Sequence, residues 1–297
     1  MRIRRAAALL ASLCAVACAH GVTYARTAGL KHERSIYTDE RRGRLEAPEG
    51  VACADDGTLI VADSGHGRLV KYTWRDGALD GGAEIKLPQL SYPTRIQLDG
   101  AGNLFVLDRK LRRIGRIDRA GRFAGYLDAG GEPPAAPIAF KAGGARVYLL
   151  DAPGRRLLVV EPSGHVARAV GLPDSGSFTD LALGTAGSVY AIDATTSTVW
   201  ALDAGGSAFR RLTPSLEAQM RFPTDMASDG RGHLFVVDHG GGAIAVLGED
   251  GSFQGRALSP GHADGLLSYP AQVCVTGGFL FVADRGNSRV QVFEIMR

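Results

Sequence analysis

Six stretches of apolar residues in this chain each end in an aspartate, at Asp63, Asp108, Asp151, Asp193, Asp238 and Asp284. Successive aspartates lie 45, 43, 42, 45 and 46 residues apart, an even period of the length one small sheet requires. The wording repeats along with the spacing, from Leu59-Ile60-Val61-Ala62-Asp63 to Leu280-Phe281-Val282-Ala283-Asp284. A period filling most of 297 residues makes the chain one repeat domain, not two unrelated ones.

Each unit opens with a short strand led by proline or an apolar residue, as in Pro93-Thr94-Arg95-Ile96-Gln97-Leu98. A glycine-containing turn follows, such as Asp56-Gly57 or Gly100-Ala101-Gly102, where glycine supplies the positive φ of a tight hairpin. The second strand is the apolar one ending in aspartate, rich in residues suited to a sheet covered on both sides. A third strand starts a few residues later, as at Arg68-Leu69-Val70-Lys71-Tyr72, and a second turn leads to a more polar fourth. Four antiparallel strands at this period are one blade of a β-propeller. The expected fold is therefore all-β, a six-bladed β-propeller over residues 45–297. Its last copy stops after the third strand, at Phe293-Glu294-Ile295. The missing strand is expected at residues 33–38, inside a linker spanning 26–44, so that the two ends close the ring and no open edge remains.

These residues resemble the NHL-repeat family, whose unit has a proline-led strand, a glycine turn, an apolar strand ending in Asp, then Asn and Arg. Asp284-Arg285-Gly286-Asn287-Ser288-Arg289-Val290 matches that pattern nearly completely, and Asp63-Ser64-Gly65-His66-Gly67-Arg68-Leu69 matches with histidine replacing asparagine. Arginine stands five residues after the aspartate at Arg68, Arg113, Arg156 and Arg289, whereas Thr198 and Ala243 replace it in blades four and five. The resemblance implies the propeller. It leaves function open, because family members include scaffolds, ligand-binding modules and a few enzymes.

Residues 1–25 read as an export signal, with Arg2, Arg4 and Arg5 ahead of an apolar run from Ala6 to Ala19. Two cleavage points compete. Ala15-Val16-Ala17 before Cys18 is similar to a lipobox, which would lipidate Cys18, and Thr23-Tyr24-Ala25 suits ordinary signal peptidase. The expected location is the periplasm, or a lipid anchor on the outer membrane or cell surface, with the lipid as the sole membrane contact. The formal charge of +3 equals that of the three leading arginines, so the mature chain is near neutral and lacks a basic footprint for nucleic acid.

Cys53 and Cys274 then remain. Counted from Pro48 and Pro270, they lie five and four residues along equivalent strands, an offset that puts them on opposite faces. Blades one and six are neighbours in a closed ring. The pair either meets across that seam as a disulfide or stays as two buried thiols.

The aspartate ladder reads as structural: each carboxylate can accept loop N–H groups and pair with the arginine of its own blade. Function is expected where blades differ. The long insertions, Gly130–Pro137, Pro173–Phe178, Thr213–Phe222 and Ala257–Tyr269, all fall on the ladder face, while short glycine turns occupy the other. One step beyond each aspartate stand Ser64, Arg109, Ala152, Ala194, His239 and Arg285. Blades five, six, one and two thus offer an arc of His239, Arg285, His66 and the Arg109-Lys110 pair, flanked by Tyr92 and Tyr269. Such an arc suits a carboxylate, a phosphate or an acidic segment; ordinary solvated loop charge is its alternative. At the channel mouth, strand starts place Glu49, Arg95, Asp180, Asp225 and Gln272. Asp180 and Asp225 with His239 are the candidate ligands for a Ca or Zn ion, and Arg95 and water the competing partners.

Two function classes follow. The first is a non-catalytic extracytoplasmic scaffold or recognition propeller, binding an exported protein or a small anionic ligand without cofactor. The second is a metal-dependent enzyme similar to the amidating lyases that share this repeat, or to the lactonases of related propellers. The missing nucleophile motif and the varied loop face favour the first.

Overall fold

The computed structural model describes residues 29–130, 134–174 and 176–296. The export signal, its two cleavage points and Cys18 lie outside them, as do parts of the first two insertions. Six four-stranded antiparallel sheets form a ring. Their innermost strands are Gly50–Cys53, Pro93–Leu98, Ala139–Gly143, Phe178–Leu183, Pro223–Ser228 and Val273–Thr276, and each packs beside the next, the last against the first.

The apolar second strands occupy the middle of every blade. Thr58–Asp63, Leu104–Asp108, Val189–Asp193, His233–Asp238 and Phe279–Asp284 are buried almost throughout, which explains their uniform Val, Ile, Leu and Phe content. Six separate apolar clusters follow from this, each wedged between two adjacent blades. The core is a set of seams, so the ring is only as strong as its closure.

Two devices make that closure. The N-terminal strand Gly29–Ile36 pairs antiparallel with Arg289–Met296 and becomes the outer strand of blade six. The expected closing strand, residues 33–38, is thus correct in place but shifted: it begins at Gly29 and ends at Ile36. Beyond it, Tyr37 and Thr38 extend the closure, with Arg289 donating to Tyr37 Oη (2.9 Å), Tyr37 Oη donating to Asp264 Oδ1 (2.9 Å) and Tyr72 Oη donating to Thr38 O (2.9 Å). The second device is covalent. Cys53 and Cys274 form a disulfide between the innermost strands of blades one and six, with Cα atoms 6.0 Å apart.

The ladder aspartates are all buried. Asp63 accepts from Glu46 N and Arg68 Nε, at 2.6 and 2.7 Å; Asp284 accepts from Ser268 N and Arg289 Nε, both at 2.7 Å. Asp151 likewise takes Arg156 Nε at 2.8 Å. Blade two departs from the expectation. Asp108 is satisfied by the N–H groups of Ser91, Tyr92 and Leu111, and Arg113 instead stacks on the Tyr126 ring, 3.9 Å from its centroid. In blade five, which lacks the arginine, Arg256 reaches Asp238 from the fourth strand at 3.1 Å. The buried carboxylate is the constant; its cation is not.

Candidate functional site

On the ladder face, the channel opens into a cavity of about 310 Å³ lined by residues of blades five, six, one and two. Glu49 stands at its centre, nearly buried. Arg109 Nη2 reaches Glu49 Oε2 at 2.9 Å, Arg285 Nε reaches Oε1 at 3.1 Å, and Tyr92 Oη donates to Oε1 at 2.8 Å. Glu49 is itself fixed by the blade-one residue after the ladder: Glu49 N donates to Ser64 Oγ (3.1 Å), and Ser64 Oγ donates to Pro93 O (2.6 Å). Burial, the Glu49 hydrogen bond and the Glu49 charge hold the Tyr92 hydroxyl above its ordinary range, against Arg109 and Arg285. It therefore stays a donor.

His239 and Phe222 line the same cavity. His239 Nδ1 lies 2.9 Å from Pro270 O; a carbonyl only accepts, so Nδ1 carries the proton and the neutral ring has Nε2 as its acceptor. Phe222 and Tyr269 pack edgewise and tilted against the imidazole, with centroids 6.4 and 5.4 Å away. Among the described residues, four of the six exposed large hydrophobics, Leu111, Ile138, Phe222 and Tyr269, belong to the loops and crossovers of this face. Tyr269 also adopts φ +46°, a conformation that costs a non-glycine residue about 1–3 kcal/mol.

Five of the seven residues expected to bind are thereby brought together: Arg109, His239 and Arg285 in the cavity, Tyr92 and Tyr269 directly behind it. Lys110 sits on the rim, its Nζ 5.7 Å from the centre of the Tyr92 ring. His66 is elsewhere. It bonds Asp63 Oδ2 at 2.9 Å and Glu46 Oε2 at 3.2 Å, inside its own ladder loop. It fills the asparagine position of the repeat and takes on that structural task, as Asn287 does with Asp284 at 2.7 Å.

Beneath the cavity the channel is plugged by one side chain from each of blades two to six, at the equivalent position of the innermost strand: Arg95, Lys141, Asp180, Asp225 and Gln272. Arg95 Nη1 meets Asp225 Oδ1 at 2.6 Å, and Lys141 Nζ meets Asp180 Oδ2 at 2.7 Å and Asp225 Oδ1 at 3.3 Å. The carboxylates also accept backbone N–H groups of the next blade, Met226 N on Asp180 and Val273 N on Asp225, at 2.8 and 2.9 Å. Gln272 stitches across the axis, accepting from Val51 N and Ile96 N at 3.1 Å each. Blade one has Gly50 at this position because a Cβ there would lie 2.1 Å from Thr94 O and 3.2 Å from Gln272 Oε1. Burial and the Asp180 charge push Asp225 up to about 7, against Lys141 and Arg95.

The metal candidates Asp180 and Asp225 are therefore ion-paired in the plug, and His239 stands in the cavity lining, bonded to Pro270. Among the described residues no three His, Cys, Asp or Glu side chains converge as a metal set. Two participants, Phe222 and Lys141, were missed in the sequence, as was the role of a third. Phe222 precedes Pro223 just as Tyr92 precedes Pro93 and Tyr269 precedes Pro270, so an aromatic-proline pattern marked it. Lys141 was hidden because the blade-three strand has no leading proline. Glu49 was visible at the channel mouth, but its role as the arginine anchor needs the folded distances.

The NHL repeat model matches residues 45–72 and 267–293, the first and last blades. No curated protein sequence matches the chain significantly. Among solved structures, virginiamycin B lyase from Staphylococcus aureus superposes with a TM-score of 0.61 at 16% identity, over 84% of this chain and 95% of that one. A gluconolactonase from Xanthomonas campestris gives 0.65 at 17% identity, over 93% of both chains. Hydrazine synthase from Kuenenia stuttgartiensis gives 0.56 at 14%, over 84% and 95%. At such identities the likeness is one of fold. The chain is a six-bladed β-propeller that carries NHL repeats, with the two matched copies meeting at the seam where the ring closes.

Proposed function

We propose that this protein is a non-catalytic recognition propeller that binds an anionic ligand at the mouth of its channel. One observation carries the reading: Arg109 and Arg285 converge on a single carboxylate, Glu49, so the cavity retains a cation that its own residues do not neutralise. Guanidinium groups held by an internal anchor are pre-ordered for a second anion, which lowers the entropy lost on binding. The disulfide fits an oxidising compartment, and supports work outside the cytoplasm, in the periplasm or on a lipid anchor. Calorimetric titration with a panel of carboxylates and phosphates tests the reading. Saturable binding that Arg109→Ala and Arg285→Ala each weaken is expected; no heat from any anion would remove it.

A second reading, a Ca- or Zn-dependent propeller enzyme, takes its support from the fold shared with a lyase and a lactonase and from the Nε2 acceptor of His239 at the cavity. Metal analysis of purified protein decides here. A stoichiometric ion lost in His239→Ala would favour the enzyme.

A further inference from the structure

The cavity says more about its occupant than its sign. Resting on the anion-binding reading above, we infer that the ligand is a small aromatic monocarboxylic acid, its carboxylate bridging Arg109 and Arg285 and its ring lying against Phe222 and His239.

Charge sets the number of anionic groups. Arg95 reaches the cavity floor, but its guanidinium is committed to Asp225 at 2.6 Å and to the Thr224 carbonyl. Arg109 and Arg285 remain, with Glu49 as their one shared counter-ion. The balance is one unmet positive charge, which one carboxylate neutralises. A second anionic group inside the cavity would face Glu49, because the remaining cation, Lys110, lies outside the lining, on the rim beside the Tyr92 ring.

Hydrogen-bond supply sets the kind of anion. Phosphate sites are commonly built from free backbone N–H groups in a nest or at a helix start. At this mouth those groups are spent: Arg109 N donates to Tyr92 O and His239 N to Phe222 O, both at 3.0 Å, and Ala271 N donates to Ala283 O at 2.9 Å. The donors left are planar guanidinium edges. Arg109 has used Nη2 and Arg285 has used Nε, and the forks that remain match the planar, two-oxygen edge of a carboxylate.

Apolar surface sets the remainder of the molecule. Phe222 keeps 48% of its surface exposed and Tyr269 58%, a large aromatic cost at one spot unless something covers it. Phe222 and the His239 ring form one wall, with Tyr269 behind the imidazole. The cavity, about 310 Å³, lies at the lower end of the range for small-molecule sites, and the ion-paired plug closes it below. Its volume suits one ring and a short acid arm.

Isothermal titration of the intact protein with phenylacetate, acetate, succinate and phenylacetamide separates these elements. Phenylacetate is expected to bind at least about tenfold more tightly than acetate or succinate, and phenylacetamide, which keeps the ring without the charge, is expected not to bind. Phe222→Ala should bring phenylacetate down to the level of acetate; Arg285→Gln should weaken both acids. Equal affinity for acetate and phenylacetate, or tighter binding of succinate, would overturn the aromatic monocarboxylate and leave the anion site standing. Absence of binding by every acid, in protein whose melting curve is intact, would overturn both.

Discussion

Two rings of six equivalent positions lie one above the other in this channel, and they solve opposite problems. The lower ring holds Gly50, Arg95, Lys141, Asp180, Asp225 and Gln272. Its charged side chains pair with one another, its members other than Arg95 are buried, and each carboxylate also accepts a backbone N–H of the next blade. The upper ring, one step beyond each ladder aspartate, holds Ser64, Arg109, Ala152, Ala194, His239 and Arg285. It is lopsided and partly open, with its two arginines in blades two and six, both answered by Glu49. Two different positions of the repeat, each varying from blade to blade, weld the blades below and leave a charge unmet above. Closure of a ring needs balance; recognition of an anion needs its lack.

Substitutions in the two rings should separate sharply. Lys141→Met leaves Asp180 and Asp225 buried with Arg95 alone, and removal of one partner from such a pair costs about 3–5 kcal/mol. Chemical denaturation should show that loss directly, and a loss under about 1 kcal/mol would break the contrast with the exposed pairs above. Gly50→Ala comes next. The new Cβ has no room between Thr94 O and Gln272, and overpacking of this kind costs about 1–3 kcal/mol. An unchanged denaturation midpoint would show that the innermost strands are not tightly stitched at the axis.

The pH dependence sharpens the same comparison. Burial and the Asp180 charge raise Asp225 to about 7 in the folded ring, from 3.8 as its ordinary value, so the folded state holds the extra proton between them. Its contribution is fully present below the lower value and is lost as pH rises through the upper one. Hydrogen-bonded carboxylates whose values are lowered, such as Asp39 and Asp264, act the other way and matter at more acid pH. Melting curves from about pH 4 to 7 should therefore lose part of their slope in Asp225→Asn; an unaltered slope would remove Asp225 as its source. The smallest effect belongs to the mouth. Arg109→Ala and Arg285→Ala, whose side chains are 64% and 40% exposed, should each change stability by less than about 1 kcal/mol, with anion affinity falling instead. A large loss of stability there would make the arginines structural.

The blades were legible because a two-sided strand must be apolar and its buried terminal carboxylate must recur; both demands act locally and leave a periodic trace. The closing strand was legible for the same reason, since six copies with one strand short require a donor. What resisted reading depends on distances between blades. Arg113 looks like Arg68 in sequence yet stacks on Tyr126, because Asp108 already has three backbone donors. His66 belongs to the arc by position but is held by Asp63 and Glu46 within its own loop. Asp180 and Asp225 resemble metal ligands until Lys141, from a strand without a leading proline, is placed between them.

The proposed place of binding is the upper ring, and not the plug or the glycine-turn face. Titration of isotopically labelled protein with phenylacetate, followed by amide NMR shifts, tests it most directly. Shifts confined to the loops around Arg109, His239 and Arg285, and abolished by Arg109→Glu with Arg285→Glu, are predicted. Shifts at the opposite face, around Gly57, Gly102 and Gly277, or shifts that survive the double reversal, would contradict it.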